Sequence, residues 1–196
     1  MKILLALCLL FFALGPAWAA PPPAAAPLPT DSIYRLDIQL TDQDGHRWPL
    51  AARRGQVQVV SMFYTSCTMV CPLIIQTMQA TAKAAGPVSP ALLAVSFDPQ
   101  NDDPGVLHRY AQTHGLDAAH WTLARAEPDD VRRLAALLGI RYRRLPEGDF
   151  NHSSVLILID ANGRILARST VIGHPDPAFV QAVRQALAAA KPPGAA

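Results

Sequence analysis

Residues 57–85 read VQVVSMFYTSCTMVCPLIIQTMQATAKAA, and the fold turns on this stretch. Val57–Tyr64 is a continuous run rich in β-branched and aromatic residues, the pattern of a strand buried on both faces. Pro72–Ala85 sets Leu73, Ile74, Met78 and Ala82 along one side of a helix. Between strand and helix stand Cys67 and Cys71, with three residues between them. In an open α/β sheet, active sites lie where strands end and helices begin. Pro72 suits a first helical position and disfavours helical backbone at Cys71, which predicts both sulfurs over the helix N-terminus. Unpaired N–H groups and the positive end of the helix dipole favour thiolate there. Thiolate is the form that exchanges disulfides and binds soft metals. The alternative, two small buried residues that happen to be cysteines, leaves the pairing, the placement and the trailing proline unexplained.

Working outward, Ile33–Leu40 alternates loosely and runs through the turn-rich Thr41–Gly45 toward Arg47–Leu50, which predicts a hairpin. Ala91–Phe97 is a second buried strand. Asp103-Pro104 supplies an N-cap and a first-turn proline for a helix to about His114. A short strand is expected at Trp121–Leu123 and a helix at Asp129–Leu138, ended by Gly139. Ser154–Asp160 and Ile165–Val171 flank Ala161-Asn162-Gly163 as a second hairpin, and Pro177–Ala190 is an amphipathic helix. Alternating strands and helices followed by an antiparallel pair imply an α/β fold: a mixed central sheet flanked by helices, with an N-terminal β-hairpin addition. That is the outline of a thioredoxin-like domain.

The ends read differently. Lys2, an apolar run from Ile3 to Leu14 and the triplet Ala17-Trp18-Ala19 are the parts of a secretory signal peptide, residues 1–19. The competing reading is a retained membrane anchor, but a bilayer span needs about 20 apolar residues, and Gly15-Pro16 interrupt this run. Cys8 would leave with the signal. Residues 20–31 are a proline- and alanine-rich linker, 32–190 the folded domain, and 191–196 a short tail. An exported chain, periplasmic or anchored facing the periplasm, meets an oxidising compartment in which Cys67 and Cys71 can pair. The closed loop would be too short to add much stability, so the pair reads as reactive.

Composition narrows the function. Hydrophobic residues make up 51% of the 196 and charged residues 16%, enough for a packed core. A net charge of +2 gives no basic footprint for nucleic acid. Three cysteines cannot staple a disulfide scaffold.

A third ligand strengthens the metal reading. Of the six histidines, His46, His108, His114, His120 and His174 fall in expected turns or on helix surfaces. His152 lies in Asn151-His152-Ser153-Ser154, just before the apolar strand Val155–Asp160. In a thioredoxin-like sheet that loop passes beside the cysteine loop, where thioredoxins place a cis-proline; this chain offers an imidazole. Two thiolates and an imidazole suit copper, Cu(I) on sulfur and Cu(II) with the nitrogen, and zinc would accept the same set.

Leu40–Gly45 (LTDQDG), Phe63–Pro72 (FYTSCTMVCP), Ser96–Pro99 (SFDP) with Asp103-Pro104, and His152–Asp160 (HSSVLILID) followed by Asn162-Gly163 together resemble the Sco/SenC family of copper-binding assembly proteins for cytochrome c oxidase. The motifs occur in the family's order and span most of the domain. The resemblance implies a thioredoxin-like fold, a copper site at Cys67, Cys71 and His152, and delivery of copper or electrons to the dinuclear copper centre in the oxidase's copper-binding subunit. Other copper chaperones or thiol–disulfide proteins are further expected partners, close to a membrane surface.

One departure stands out: the family's cysteine loop often reads Cys-Pro-Asp-x-Cys, and Thr68-Met69 replace the Pro-Asp pair here. Met69 is expected to point outward as an apolar contact, the alternative being a weak extra Cu(I) ligand. Asp98 and Asp103 match the family and read as structural, Asp103 as a helix cap. Two other functions compete. One is a copper-free thiol–disulfide oxidoreductase that uses Cys67 and Cys71 to keep the oxidase's cysteines reduced. The other is a peroxiredoxin-like peroxidase, which needs an arginine at the thiolate; Arg141, Arg143 and Arg144 are the candidates.

Overall fold

A computed structural model of the protein describes residues 27–190; the expected signal, most of the expected linker and the expected tail lie outside them. Strands β1 (Gln39–Asp42) and β2 (Arg47–Pro49) form the N-terminal hairpin. It is shorter than the sequence suggests, because Ile33–Arg35 makes a 3₁₀ turn capped by Ser32 instead of extending the strand. Ile33 and Tyr34 are buried there, so their apolar character serves a packed turn. Strand β3 (Gln58–Phe63) is buried at every position, as its β-branched run requires. It leads through the cysteine loop into α1 (Val70–Ala85).

Strand β4 (Ala91–Ser96) lies parallel to β3, from Gln58 opposite Ala91 to Phe63 opposite Ser96. Helix α2 (Pro104–Thr113) opens as expected, with the Asp103 carboxylate accepting from the Val106 N–H at 2.8 Å. Strand β5 (Trp121–Ala126) runs on past the three residues anticipated and pairs parallel with β4 and antiparallel with β1. Helix α3 (Pro128–Leu138) ends at Gly139, whose φ of 69° is the left-handed cap that glycine adopts without strain. A two-stranded ribbon follows, β6 (Tyr142–Arg144) with β7 (Phe150–His152), which the sequence reading lacks. Strands β8 (Leu156–Ile159) and β9 (Ile165–Ser169) form the second expected hairpin, and α4 (Pro177–Ala190) closes the chain.

The main sheet has seven strands in the order β2-β1-β5-β4-β3-β8-β9. Its centre, β5-β4-β3, is parallel, and the strands outside it are antiparallel to their neighbours, a mixed sheet flanked by helices. Helices α1 and α4 pack on one another beside β3, β8 and β9, while α2 and α3 pack against β5. The parallel arrangement sends the C-terminal ends of β3 and β4 to the same pole, where Phe97 N–H donates to Phe63 C=O at 2.7 Å. The cysteine loop and the loop leading into α2 therefore start side by side.

Candidate metal centre

Helix α1 begins two residues earlier than Pro72 predicts. Met69 is the N-cap, Val70 and Cys71 are in the first turn, and Pro72 takes the third helical position. The physical reason is that none of the first helical N–H groups has an intrahelical acceptor, so a missing N–H costs nothing there either. Cys71 is consequently held in helical geometry and fully buried, while Cys67 sits in the preceding loop. The side chain of the N-cap residue, Met69, makes no capping bond. Instead the Cys71 N–H points at Cys67 Sγ, 3.4 Å away, so a sulfur occupies the place of a capping oxygen.

The two thiols are therefore unlike. Burial opposes ionisation of Cys67, but the N–H groups of Cys71, Met69 and Val70 and the Cys71 thiol outweigh it and hold Cys67 below the ordinary thiol range. Burial pushes Cys71 well up, and the neighbouring Cys67 charge adds to the shift. Cys67 is the thiolate-forming member and Cys71 the protonated one.

His152 is the last residue of β7, and its Nε2 lies 3.8 Å from Cys71 Sγ. Its Nδ1 faces the Ser153 carbonyl at 3.3 Å. A carbonyl only accepts, so Nδ1 carries the proton and Nε2 keeps its lone pair toward the sulfurs. Burial lowers the imidazole pKa, only partly offset by that backbone contact, which keeps the ring neutral. The ligand atoms of Cys67, Cys71 and His152 all lie within 4.8 Å of one another. Two sulfurs and one free imidazole nitrogen at that spacing fit a soft metal ion without a large rearrangement.

An aromatic cluster holds the ribbon that carries His152. Phe97 lies 4.9 Å from the His152 ring and stacks on Tyr142 at 5.0 Å; Tyr64 meets Phe150 edge-on at 5.0 Å. Tyr64, one residue past β3, also accepts from the Phe150 N–H at 3.4 Å. An isolated two-stranded ribbon is marginal in water, so these rings, two of them from the central strands' ends, set where the imidazole stands.

Asp102 is the functional-site residue that the sequence reading missed. Its buried carboxylate accepts from the hydroxyls of Thr65 and Ser96 and from the Thr65 N–H at 3.2 Å, tying the cysteine loop to the loop after β4. Neighbouring Asp98, buried as well, accepts from Asn101 at 2.7 Å and orders the same loop, the structural role expected of it. The SFDP resemblance drew attention to Asp98, and Asp102 had no signal beyond lying four residues further on. Met69 is 81% exposed, in line with its expected outward orientation. Arg141 and Arg143 border a cleft with Asn151 and His152, and Arg144 lies over Phe150; the arginine sharing a cleft with Cys67 is Arg109. None of the other five histidines joins the ligand cluster: His46, His108 and His120 face aspartates, His114 packs on Tyr110, and His174 faces the Pro175 carbonyl.

The sequence model of the SCO1/SenC family matches residues 29–188, nearly the whole described domain. The chain belongs to the SCO1/SenC family. Among curated SCO1/SenC relatives, the SCO1 protein homolog of Bacillus subtilis is 25% identical over 130 residues, covering 64% of this chain and 67% of its own. A SCO1/SenC family lipoprotein from Bacillus anthracis superposes with a TM-score of 0.68 at 23% identity, over 78% of this chain and 94% of that one. Arabidopsis thaliana ScoI, solved with copper bound, gives 0.64 at 17% identity, over 78% and 94%. These likenesses establish the thioredoxin-like SCO1/SenC fold expected from the motifs.

Proposed function

We propose that this protein binds copper through Cys67, Cys71 and His152 and delivers it, or reducing equivalents, to the dinuclear copper site of cytochrome c oxidase from the exported side of a membrane. The observation that carries the reading is the convergence of the three ligand atoms within 4.8 Å, with the imidazole lone pair already turned toward the sulfurs. Disulfide exchange alone has no use for such a turned histidine. Family membership and the copper-bound ScoI relative support the same cargo. Cu(I) would sit on the two sulfurs, and the nitrogen donor would let the same site accept Cu(II). Release of both thiol protons accompanies loading.

A second reading has its own support. The unequal thiols are suited to exchange, Cys67 attacking and Cys71 resolving, and BsSco, a member of the Sco family, is described as containing a disulfide switch. Copper titration of the reduced protein separates the two. We expect one equivalent bound, with thiolate-to-Cu(II) charge-transfer bands. Cys67→Ala should abolish those bands, and His152→Ala should weaken Cu(II) binding strongly while the cysteines still oxidise to a disulfide. Oxidase assembly that survives His152→Ala with Cu(II) binding gone would favour the reductase reading and refute Cu(II) delivery.

A further inference from the structure

Helix α2 carries one aromatic residue into the pole where the sulfurs lie. The Tyr110 ring packs on Phe63, the last residue of β3, with 5.3 Å between ring centroids. The residue is 9% exposed, and its hydroxyl is cut off from solvent altogether. That hydroxyl has no hydrogen-bond partner among the described residues. Buried polar groups are ordinarily paired, and one left alone beside a functional site calls for an explanation. Burial opposes its ionisation most, followed by Cys71, then Cys67, then Asp102, so these groups lie around it and it keeps its proton. It is a donor without an acceptor.

The neighbours show which acceptor it lacks. The Asp102 oxygens are engaged with the Thr65 hydroxyl and N–H and with the Ser96 hydroxyl. Cys67 Sγ already faces the N–H groups of Cys71, Met69 and Val70. Cys71 Sγ is placed differently. It faces the Tyr64 N–H and, at 3.8 Å, the His152 Nε2, whose lone pair donates nothing. As a thiol, its sulfur is a weak acceptor that gives a hydroxyl little reason to approach. A metal ligand must be deprotonated, and hydrogen bonds to an ionised acceptor are about twice as strong as neutral ones.

We infer that Tyr110 is a positioning residue for the metal centre: its hydroxyl is unbonded while Cys71 is a thiol and donates to the Cys71 sulfur once that sulfur is a metal-bound thiolate. The inference rests on the copper reading of Cys67, Cys71 and His152 and adds a residue that holds a ligand rather than the ion. On loading, Cys71 gives its proton to solvent, Tyr110 keeps its own, and no electrons move. The unmet donor disfavours the thiol form, and the bond formed on loading favours the thiolate, so the one oxygen biases the centre toward the loaded state. A Cys67–Cys71 disulfide presents no charged sulfur and gains nothing from it.

The test compares Tyr110→Phe, which deletes the oxygen alone, with Tyr34→Phe. The Tyr34 hydroxyl is bonded within the fold, accepting from Gln58 Nε2 at 2.6 Å and donating to the Arg53 carbonyl at 3.2 Å. Two measurements are made on each variant: thermal unfolding of the reduced, metal-free protein, and copper titration followed by absorption. Tyr110→Phe should leave the metal-free Tm at or above the wild-type value, because the oxygen removed is bonded to nothing there. It should weaken copper binding by about tenfold, within the range for groups that orient a ligand. It should also move the thiolate-to-Cu(II) bands to longer wavelength, since a thiolate without the donor gives up an electron more easily. Tyr34→Phe should do the reverse, lowering the metal-free Tm and leaving copper affinity and bands unchanged. A lowered metal-free Tm in Tyr110→Phe would show that the hydroxyl is already bonded and would overturn the proposal. Wild-type copper affinity or unmoved bands in that variant would overturn it too, and each of these results leaves the copper reading standing. Failure of the wild type to load copper would instead bring down the copper reading, and this donor role with it.

Discussion

At the scale of single residues, the two cysteines differ because one sulfur caps a helix and the other lies within it. Cys67 collects N–H donors and ionises easily; Cys71 is fully buried and does not. Limited iodoacetamide at neutral pH should therefore modify Cys67 first, and peptide mapping should find Cys71 unmodified until the protein is unfolded. Asp102 gives a second prediction. Burial raises its pKa, with the Thr65 and Ser96 donors only partly offsetting it and Asp98 adding to the rise. A folded-state pKa above the unfolded value means that protonation favours the fold. This contribution is complete below the ordinary carboxylate value near 3.9 and is lost as pH rises through the folded-state value. Asp102→Asn should remove that acid-side dependence from denaturant midpoints. Asp102→Ala should cost about 1–3 kcal/mol, because two hydroxyls and an N–H are left without an acceptor. The cysteines and His152 were legible from residue type and spacing. Asp102 was not, since its meaning comes from Thr65 and Ser96, brought close only by the fold.

At the scale of elements, regular strands and helices with strong apolar patterns were legible, while the 3₁₀ turn at Ile33–Arg35, the start of α1 and the β6–β7 ribbon were not. Helix α1 starts at Val70 because a proline in the first turn forfeits no hydrogen bond, so Pro72 fixed the helix without fixing its first residue. The β6–β7 ribbon escaped notice because Arg143, Arg144 and Asn151 give it no apolar alternation, and three-residue strands leave little pattern. Its signal was the turn Leu145–Asp149, where the Leu145 N–H donates to the Asp149 carbonyl at 2.7 Å. That ribbon carries the proposed ligand His152 on an aromatic footing, so Phe150→Ala should loosen the imidazole without touching the sulfurs. The expected outcome is a Cu(II) affinity lower by about 10–100-fold, the range for residues that orient a ligand. Disulfide formation between Cys67 and Cys71 should continue at the wild-type rate. A loss of both would mean that the ribbon supports the whole cysteine loop.

At the scale of the whole molecule, the sheet separates two poles. The cysteines, His152 and Asp102 gather at the C-terminal ends of β3 and β4. At the other end the segment entering the fold packs on the β8–β9 turn, where Ser32 Oγ donates to the Asn162 carbonyl and the Ile33 N–H to the Gly163 carbonyl at 2.9 Å. Gly163 has φ of 83°, and a Cβ there would lie 2.5 Å from Ser32 Oγ and 2.7 Å from Tyr34 Cδ2. Gly163→Ala should thus destabilise the protein by roughly 2–4 kcal/mol in denaturant unfolding, by strain and by displacing the entering segment. Gly148→Ala, with similar φ and open space around it, should cost less. Copper titration of folded Gly163→Ala should be unaltered.

The described chain also leaves at that distal pole: Ala190, the last residue of α4, borders a cleft with Gly55, Val57 and Ala91, at the starts of β3 and β4. The two ends of the described segment thus lie on the side facing away from the sulfurs, about 20 Å off, the length of a six-residue strand. A support gripping the domain at residues 32–33 or at Ala190 would hold it like a torch by its handle, with the reactive tip facing outward.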